Sequence, residues 1–215
     1  MNSCLIIDLG LIGFADAFAL QKRLVAARKT DAIGDVLLLC EHPHVITLGR
    51  NGSREHLLAS ERVLQQKGVE FHATNRGGDI TYHGPGQLVA YTLFDLRRSR
   101  VGVRAMVRSI EGAVIEWLRT LGISAYGKPS APGVYVAVMN VEAKIAALGL
   151  KVRNGCTYHG LAVNIAMDLT PFADIDPCGY PGLAVTQLVD LGVARTVATT
   201  GTELAPILAA HLRRP

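Results

Sequence analysis

Two of the four cysteines lie in polar, turn-rich surroundings, where a substrate can reach a thiol. Cys156 follows the polar turn 153–155, and Cys178 lies between Pro177 and Gly179. The reactive form of a cysteine is the thiolate, but an unperturbed thiol has a pKa of about 8.5 and is mostly protonated at neutral pH. A catalytic cysteine therefore needs a neighbouring cation or base. Taken alone, each of these cysteines is more simply structural than catalytic.

One lysine stands in an apolar run and is the candidate cation. Lys144 lies at the start of the predicted strand 143–150, where a lysine is costly unless it reaches solvent or a partner. The alternative is a side chain that extends its ammonium to the surface. A second pairing is also open, in which His159 orients Cys156 as the nucleophile. The residues alone do not choose between Cys156 and Cys178.

The stretch 76–87 combines four glycines and a proline with polar side chains, between two apolar, strand-like segments. Glycines allow another molecule to approach the backbone closely. Arg76, Thr81 and His83 are polar groups that could orient such a molecule, and the strand that follows His159-Gly160 could supply a second wall of the pocket. The alternative is an ordinary hairpin loop with its turn at 84–86.

No pattern in the chain points to a nucleotide or a metal. There is no phosphate-binding glycine loop that ends in Lys-Ser or Lys-Thr, no dinucleotide-binding fingerprint and no Cys-x-x-Cys pair. His42 and His44 are separated by a proline, and no second pair of ligands follows at a metal-like spacing. Cys4 and Cys40 lie in apolar strand runs and are most simply buried hydrophobes.

The bulk composition restricts the partners and the compartment. A net charge of +4 favours acidic partners. Five arginines fall within residues 97–108, but no aromatic residues alternate with them, so nucleic acid is not predicted. No apolar window reaches about 18 residues and the first residues resemble a strand, so we expect no membrane span and a cytoplasmic protein with reduced thiols.

The elements that must position these residues alternate between helices and runs of strands. Helices are predicted over 13–30, 55–66, 103–121 and about 202–213, the third from an apolar stripe at three- and four-residue steps. Strands are predicted over 5–9, 36–40, 45–48, 69–73, 88–96, 123–126, 133–138, 143–150 and 158–166. This mixture indicates an α+β fold with a mixed sheet. The 215 residues, 49% of them apolar, suit one domain over 1–215.

Several segments in order resemble the lipoyl(octanoyl) transferases, a family of the biotin/lipoate protein ligase superfamily, over nearly the whole chain. His44 stands where a proline is expected, and Gln187 stands where serine is more usual. The matching segments are His42-Pro43 with Thr47 to Arg50, Arg76 to Gln87, Lys144 to Gly149, His159 to Asn164, and Pro177-Cys178-Gly179 followed by Val185 to Leu188.

The resemblance implies a biotin/lipoate protein ligase-like fold, in which helices flank a mixed sheet. It implies transfer of an octanoyl group from acyl carrier protein to a lysine of a lipoyl domain, in 2-oxoacid dehydrogenase complexes or the glycine cleavage H protein. No cofactor, metal or ATP is implied, because transfer from a thioester to an amine runs downhill.

The resemblance also assigns residues. Cys178 is the nucleophile and Lys144 its cation, and backbone N–H groups near Cys178 or Gly78 are expected to stabilise the charged intermediate. The substrate-binding residues are expected to be Arg76, Gly77, Gly78, Asp79, Ile80, Thr81, Tyr82, His83, Ala147, Leu148, Gly149, Gly160, Leu161 and Ala162.

Two other functions remain open at this point. One is an ATP-dependent lipoate or biotin ligase of the same superfamily, which would activate a free acid and need no cysteine nucleophile. The other is a basic, non-catalytic module that binds a carrier protein or nucleic acid.

Overall fold

The computed structural model describes residues 4–177 and 182–213, and its strands form two sheets. The strands are β1 (Cys4–Leu11), β2 (Asp35–Glu41), β3 (Val45–Leu48), β4 (Glu70–Ala73), β5 (Ile80–His83), β6 (Gln87–Leu93), β7 (Ala125–Gly127), β8 (Gly133–Val138), β9 (Val141–Arg153) and β10 (Cys156–Asn164). The helices are α1 (Phe14–Lys29), α2 (Glu61–Gln66), α3 (Leu96–Ser99), α4 (Val103–Thr120) and α5 (Val197–Arg213), with short 3-10 turns at Arg54–His56, Thr170–Asp174 and Val189–Leu191.

The larger sheet has seven strands in the order β1-β2-β6-β10-β9-β8-β7. Its first pair, β1 with β2, is parallel, and every following pair is antiparallel. The predicted mixed sheet flanked by helices is therefore confirmed.

Both faces of the larger sheet are covered at β2, which explains the continuous apolar run in this strand. Successive residues of a strand point to opposite faces. Leu37 and Leu39 accordingly pack with α4 and α5, whereas Val36 and Leu38 pack with α1 on the other side. A strand with one face in water would instead alternate apolar and polar residues.

The predicted stripe of α4 is confirmed. Met106, Ile110, Val114 and Trp117 are buried against the sheet and α5. None of the helices in the described part of the chain combines the length and apolar character that a bilayer crossing requires.

The smaller sheet has the order β4-β3-β5, with β3 parallel to β4 and antiparallel to β5. Its own core contains Ile46, Ile80, Tyr82 and Phe172. Strand β5 was predicted as part of a glycine-rich loop. It is a strand because the alternate residues Ile80 and Tyr82 supply a buried face.

Two helices begin at other residues than predicted. The helix expected at 55–66 begins only at Glu61, where the side chain of Ser60 accepts a hydrogen bond from the Val63 N–H. The last helix begins at Val197, earlier than predicted, because the Thr196 hydroxyl accepts the Thr199 N–H. It continues through Pro206.

Strands β9 and β10 form a long antiparallel hairpin. Its turn is Asn154-Gly155, and both residues have positive φ, as two-residue hairpin turns require. The turn is therefore tight, and Cys156 is the first residue of β10 instead of a loop residue. Its side chain is fully buried, at 0% exposure.

Candidate active site

A cavity lies where the stretch 76–83 meets strands β9 and β10. Its empty volume is about 520 Å³, including open solvent at its mouth. The cavity is lined by Phe14, Arg76, Gly78, Asp79, Ile80, Thr81, His83, Tyr91, Ala147, Leu148, Gly149, His159, Gly160, Leu161 and Ala162.

Most of the predicted substrate-binding residues meet at this cavity, and two lie beside it. Gly77 instead donates its N–H to the Leu150 carbonyl at 2.8 Å. Tyr82 packs edge-on against Phe172 in the core of the smaller sheet. The alternation of β5 turns Tyr82 away from Thr81 and His83, which do face the cavity.

Paired glycines make one wall of the cavity thin. Gly149 of β9 pairs with Gly160 of β10. A Cβ on Gly149 would lie 2.7 Å from the Gly77 carbonyl oxygen, and one on Gly160 would overlap the Ala90 carbonyl oxygen. A side chain at Gly149 would therefore push the loop 76–79 away from β9, and one at Gly160 would push β10 away from its neighbour β6.

Arg76 holds its loop against β3. Its guanidinium donates to the Thr47 carbonyl at 2.6 Å, to the Thr47 hydroxyl at 2.9 and 3.2 Å, and to the Gly77 carbonyl at 3.1 Å. Arg76 is buried, so these bonds compensate for part of the desolvation of its charge.

A chain of polar side chains continues from Thr47 across both sheets. The Thr47 hydroxyl lies 3.5 Å from His83 Nε2, and His83 Nδ1 lies 2.7 Å from Gln87 Oε1. Gln87 Nε2 donates to Asn164 Oδ1 at 2.9 Å. Asn164 Nδ2 in turn donates to the Thr186 carbonyl at 2.9 Å. We call Arg76, Thr47, His83, Gln87, Asn164 and Thr186 the polar chain.

A second cavity, of about 310 Å³ including open solvent, adjoins the first, because Thr81 and Ala147 line both. We call it the lysine cavity. Its lining residues are Thr81, Gln87, Lys144, Ala146, Ala147, Asn164, Phe172, Pro177 and Val185.

Lys144 is buried, at 4% exposure, and is the fourth residue of β9. The alternative of a lysine that reaches the surface is therefore wrong. Its ammonium lies 3.5 Å from the Pro132 carbonyl and 5.1 Å from the centre of the Tyr135 ring. A carbonyl and an aromatic face both favour a positive charge.

The segment around the predicted nucleophile adjoins the lysine cavity on both sides. Pro177 lines the cavity. On the other side of Cys178 along the chain, residues 184–186 bond to the backbone of Lys144. The Lys144 N–H donates to the Ala184 carbonyl at 2.9 Å, and the Thr186 N–H donates to the Lys144 carbonyl at 3.0 Å. Cys178 itself lies outside the described residues.

Burial raises the pKa of all three thiols that the structure describes, and so opposes formation of their thiolates. It raises the pKa of Cys4 to about 11, and it also raises the pKa of Cys40 and of Cys156. His159 Nε2 lies 3.0 Å from Asn75 Oδ1 and has no bond to Cys156. A Cys156–His159 catalytic pair is therefore not supported, because the tight hairpin turn buries the thiol.

The two positions that depart from the family pattern have specific partners. His44 Nδ1 lies 2.6 Å from the Tyr82 hydroxyl, and burial raises the pKa of Tyr82 to about 12. Gln187 Oε1 accepts the Met167 N–H at 2.6 Å. Both substitutions are accommodated in the smaller sheet and the loop that packs beside it.

Sequence reasoning did not identify several residues of the two cavities. Phe14 and Tyr91 line the first cavity but lie far from its motifs along the chain. Gln87 and Asn164 are the last residues of two segments that match the family, and this match was the signal by which they could have been identified. Among the described residues, no group of three or more His, Cys, Asp or Glu side chains is arranged to hold a metal ion.

Comparison with known proteins places these cavities in context. Residues 14–207 match the family described as the lipoyl protein ligase A/B catalytic domain. An octanoyltransferase from Laribacter hongkongensis is 49% identical over 207 residues, which cover 96% of this chain and 95% of the relative. An octanoyltransferase from Chromobacterium violaceum is 54% identical, with 83% of this chain and 81% of the relative covered.

Solved structures share the fold at much lower identity. A bipartite lipoate protein ligase from Thermoplasma acidophilum has a TM-score of 0.75 at 17% identity, covering 99% of this chain and 84% of the other. A biotin protein ligase from Aquifex aeolicus has a TM-score of 0.55 at 13% identity, covering 100% and 71%. The biotin/lipoate protein ligase-like fold expected from the sequence is thus confirmed.

The buried histidines generate a prediction for stability against pH. Burial lowers the pKa of His83 and of His159 from 6.5 to about 3, so each is neutral in the folded protein at pH 7. Below about pH 6.5 these histidines bind protons in the unfolded chain but remain unprotonated in the folded protein. Stability is therefore complete above about pH 6.5 and falls below it, by about 1.4 kcal/mol per pH unit for each histidine.

We expect His159→Gln to flatten this dependence between pH 6 and pH 4.5, as measured by urea unfolding at several pH values. The carboxylates that also titrate there are common to both proteins and cancel in the difference. Equal slopes for the two proteins would contradict the assignment.

Proposed function

Because this chain belongs to the octanoyltransferases of the lipoyl protein ligase A/B family, we propose that it carries an octanoyl group as a thioester on Cys178. The donor is octanoyl-acyl carrier protein, and the acceptor is a lysine of a lipoyl domain, in 2-oxoacid dehydrogenase complexes or the glycine cleavage H protein. One observation supports this most directly: Pro177, which is bonded to Cys178, lines the same cavity as Lys144.

In the first half-reaction Lys144 stabilises the Cys178 thiolate, which attacks the carbonyl carbon of the donor thioester. A new C–S bond forms to Cys178, the bond to the donor sulfur breaks, and the departing thiolate takes a proton from the ammonium. The charged tetrahedral intermediate requires hydrogen-bond donors, for which backbone N–H groups near Cys178 and Gly78 remain our candidates.

In the second half-reaction the amine of the acceptor lysine attacks the Cys178 thioester. A C–N bond forms and the Cys178 thiolate leaves. Lys144, neutral after the first half-reaction, accepts the proton that the attacking amine loses. The enzyme thus returns to its starting state with the ammonium and thiolate restored.

The first cavity is the proposed slot for the acyl chain. It joins the lysine cavity at Thr81 and Ala147, where the thioester carbonyl would lie. At this junction Ala147 of β9 pairs with Ala162 of β10. Two residues further along β9, Gly149 pairs with Gly160. Gly160 in turn pairs with Tyr91 of β6. Two residues advance about 7 Å along a strand, so Tyr91 lies toward the end proposed for the terminal methyl group. Phe14 lies at the same end, because it stacks on Phe18 and Phe18 stacks on His159, the neighbour of Gly160.

Burial of the acyl chain supplies the binding energy of this slot. Each buried methylene contributes about 0.8 kcal/mol before ordering costs. The slot is therefore expected to prefer a chain that fills it, with modest discrimination per carbon.

A basic groove is the proposed docking site of the carrier protein. Its volume is about 1390 Å³ including open solvent, and Arg104, Arg108 and Lys128 line it together with Val103 and Val107. The groove reaches Pro132, whose carbonyl accepts the Lys144 ammonium. We expect the carrier protein to be acidic, and the groove offers it complementary charge close to the proposed reaction centre.

Two of the remaining three arginines in residues 97–108 form ion pairs within the protein. Arg97 pairs with Asp95 at 2.7 Å, and Arg98 pairs with Asp35. The docking proposal therefore rests on Arg100, Arg104 and Arg108, which are exposed. We further propose that residues 1–215 act as one catalytic domain in the cytoplasm.

The covalent intermediate can be tested by intact mass spectrometry after mixing the enzyme with octanoyl-acyl carrier protein. We expect one octanoyl adduct, mapped to Cys178 by peptide analysis. Cys178→Ser should lose the adduct and reduce transfer by at least about 10³-fold. Cys156→Ala is the matched control and should keep the adduct, because its thiol is buried. Transfer at an unchanged rate by Cys178→Ser would refute the proposal.

Acyl-chain length can be tested at the end of the slot. Phe14→Ala should open space there and raise the kcat/KM ratio of decanoyl over octanoyl donors about tenfold. Phe14→Leu should raise it less, with a smaller loss of stability. Phe18→Ala is the control, since Phe18 packs on Phe14 but does not line the cavity. An unchanged ratio in Phe14→Ala would place the chain end elsewhere.

Docking can be tested by reversing the charge of the groove. Arg104→Glu with Arg108→Glu should raise KM for the carrier-protein donor about tenfold at low salt, and less at high salt. Activity with a small octanoyl thioester should stay unchanged. Arg119→Glu, exposed at the other end of α4, is the control. A KM that does not respond at low salt would exclude the groove.

A further inference from the structure

A carboxylate interrupts the buried face of α4. Glu111 is 8% exposed and lies between the core residues Ile110 and Ala113. Burying a carboxylate is costly unless it has a partner. The partner here is a backbone amide, since the Gly133 N–H donates to Glu111 Oε1 at 2.9 Å.

The peptide that Glu111 holds also contacts the Lys144 side chain. The Pro132 carbonyl accepts the Lys144 ammonium at 3.5 Å. A Cβ on Gly133 would lie 2.9 Å from Lys144 Cε and 3.3 Å from Lys144 Nζ. The Pro132–Gly133 peptide is therefore in contact with the lysine at its carbonyl and at its glycine, and any shift of this peptide would move the ammonium.

Two side chains hold this segment from different elements. Glu111 holds the Pro132–Gly133 peptide from α4 through the Gly133 N–H. Tyr135, on β8, holds the preceding peptide, since its hydroxyl donates to the Ala131 carbonyl at 2.9 Å. The Tyr135 ring also lies 5.1 Å from the Lys144 ammonium. One small assembly thus links helix α4 to the lysine cavity.

Several charged or titratable groups act on this assembly. Burial raises the pKa of Glu111, whereas the Gly133 N–H and the charges of Arg108 and Lys144 lower it. Lys144 acts in turn on Glu142 of its own strand. Among the described residues, the Tyr135 ring lies 5.1 Å from the Lys144 ammonium, and the charges of Glu111 and Glu142 act on this ammonium. Lys128 lies 5.1 Å from the same ring and pairs with Glu142 at 2.7 Å.

We propose that Glu111 is a positioning residue for Lys144: it holds the Pro132–Gly133 peptide that receives the ammonium, and its negative charge acts on the Cys178–Lys144 pair. This inference rests on the proposed function. The role has two separable parts, a hydrogen-bond acceptor that sets geometry and a charge that sets ionisation.

Two substitutions separate these parts. Glu111→Gln keeps an acceptor for the Gly133 N–H and removes the charge. Loss of a nearby negative charge makes a thiolate easier to form and an ammonium easier to deprotonate, so both ionisations of the pair move to lower pH. Glu111→Ala removes the acceptor as well, and the peptide and the ammonium lose their fixed position.

The experiment measures the pH profile of kcat/KM with octanoyl-acyl carrier protein, together with the pH dependence of Cys178 alkylation by iodoacetamide. For Glu111→Gln we expect both profiles to move to lower pH by about half a unit or more, with the maximal rate kept within about twofold. For Glu111→Ala we expect kcat to fall about 10- to 100-fold with little change in KM.

Glu116→Gln is the matched control, because Glu116 lies on the same helix and its carboxylate contacts His211 at the surface. It should move neither profile. If Glu111→Ala does not fold, the Glu111→Gln profile still decides the question. Should Cys178→Ser abolish transfer while Glu111→Gln leaves both profiles unmoved, the present inference is wrong and the proposed function stands. Should Cys178→Ser transfer normally, the proposed function itself fails.

Discussion

The close contact between the loop 76–79 and strand β9 is the constraint on which the two cavities depend. The Gly77 N–H donates to the Leu150 carbonyl, and the Gly77 carbonyl oxygen occupies the space that a side chain on Gly149 would need. Backbones approach this closely only where side chains are missing. The contact joins the smaller sheet to the larger one and leaves between them a narrow slot, whose thin wall suits a flexible apolar chain.

The same constraint brings buried polar groups together, and each must find a partner. The polar chain does this in series from the Arg76 guanidinium to the Thr186 carbonyl, and it crosses from the smaller sheet to the edge of the lysine cavity. Removing one member of such a series leaves its neighbours unsatisfied, which costs more than one surface hydrogen bond. The series therefore fixes the relative position of the first cavity and the lysine.

Burial also determines which side chains around the site carry a charge. Low exposure keeps His83 and His159 neutral and disfavours the thiolates of Cys4, Cys40 and Cys156. Lys144 is held by a carbonyl and an aromatic face, with the Glu111 carboxylate acting on it from α4. An ammonium lowers the pKa of a thiol next to it, whereas burial raises the pKa of the three described thiols. A thiol beside Lys144 would therefore form a thiolate more easily, as a nucleophile at neutral pH must.

The sequence by itself determined the mixed sheet and the stripe of α4, because periodicity is a local signal. Its resemblance to one family indicated most residues of the first cavity, because the matching motifs are short and continuous along the chain. It could not determine that Asn154-Gly155 makes a turn tight enough to bury Cys156, or that residues 80–83 pair with β3 as a strand. Nor could it place Phe14, Tyr91 and Glu111 at the site, since they are distant along the chain from its motifs. Only the tertiary structure decided these, because burial and the distance between atoms depend on which elements pack against each other.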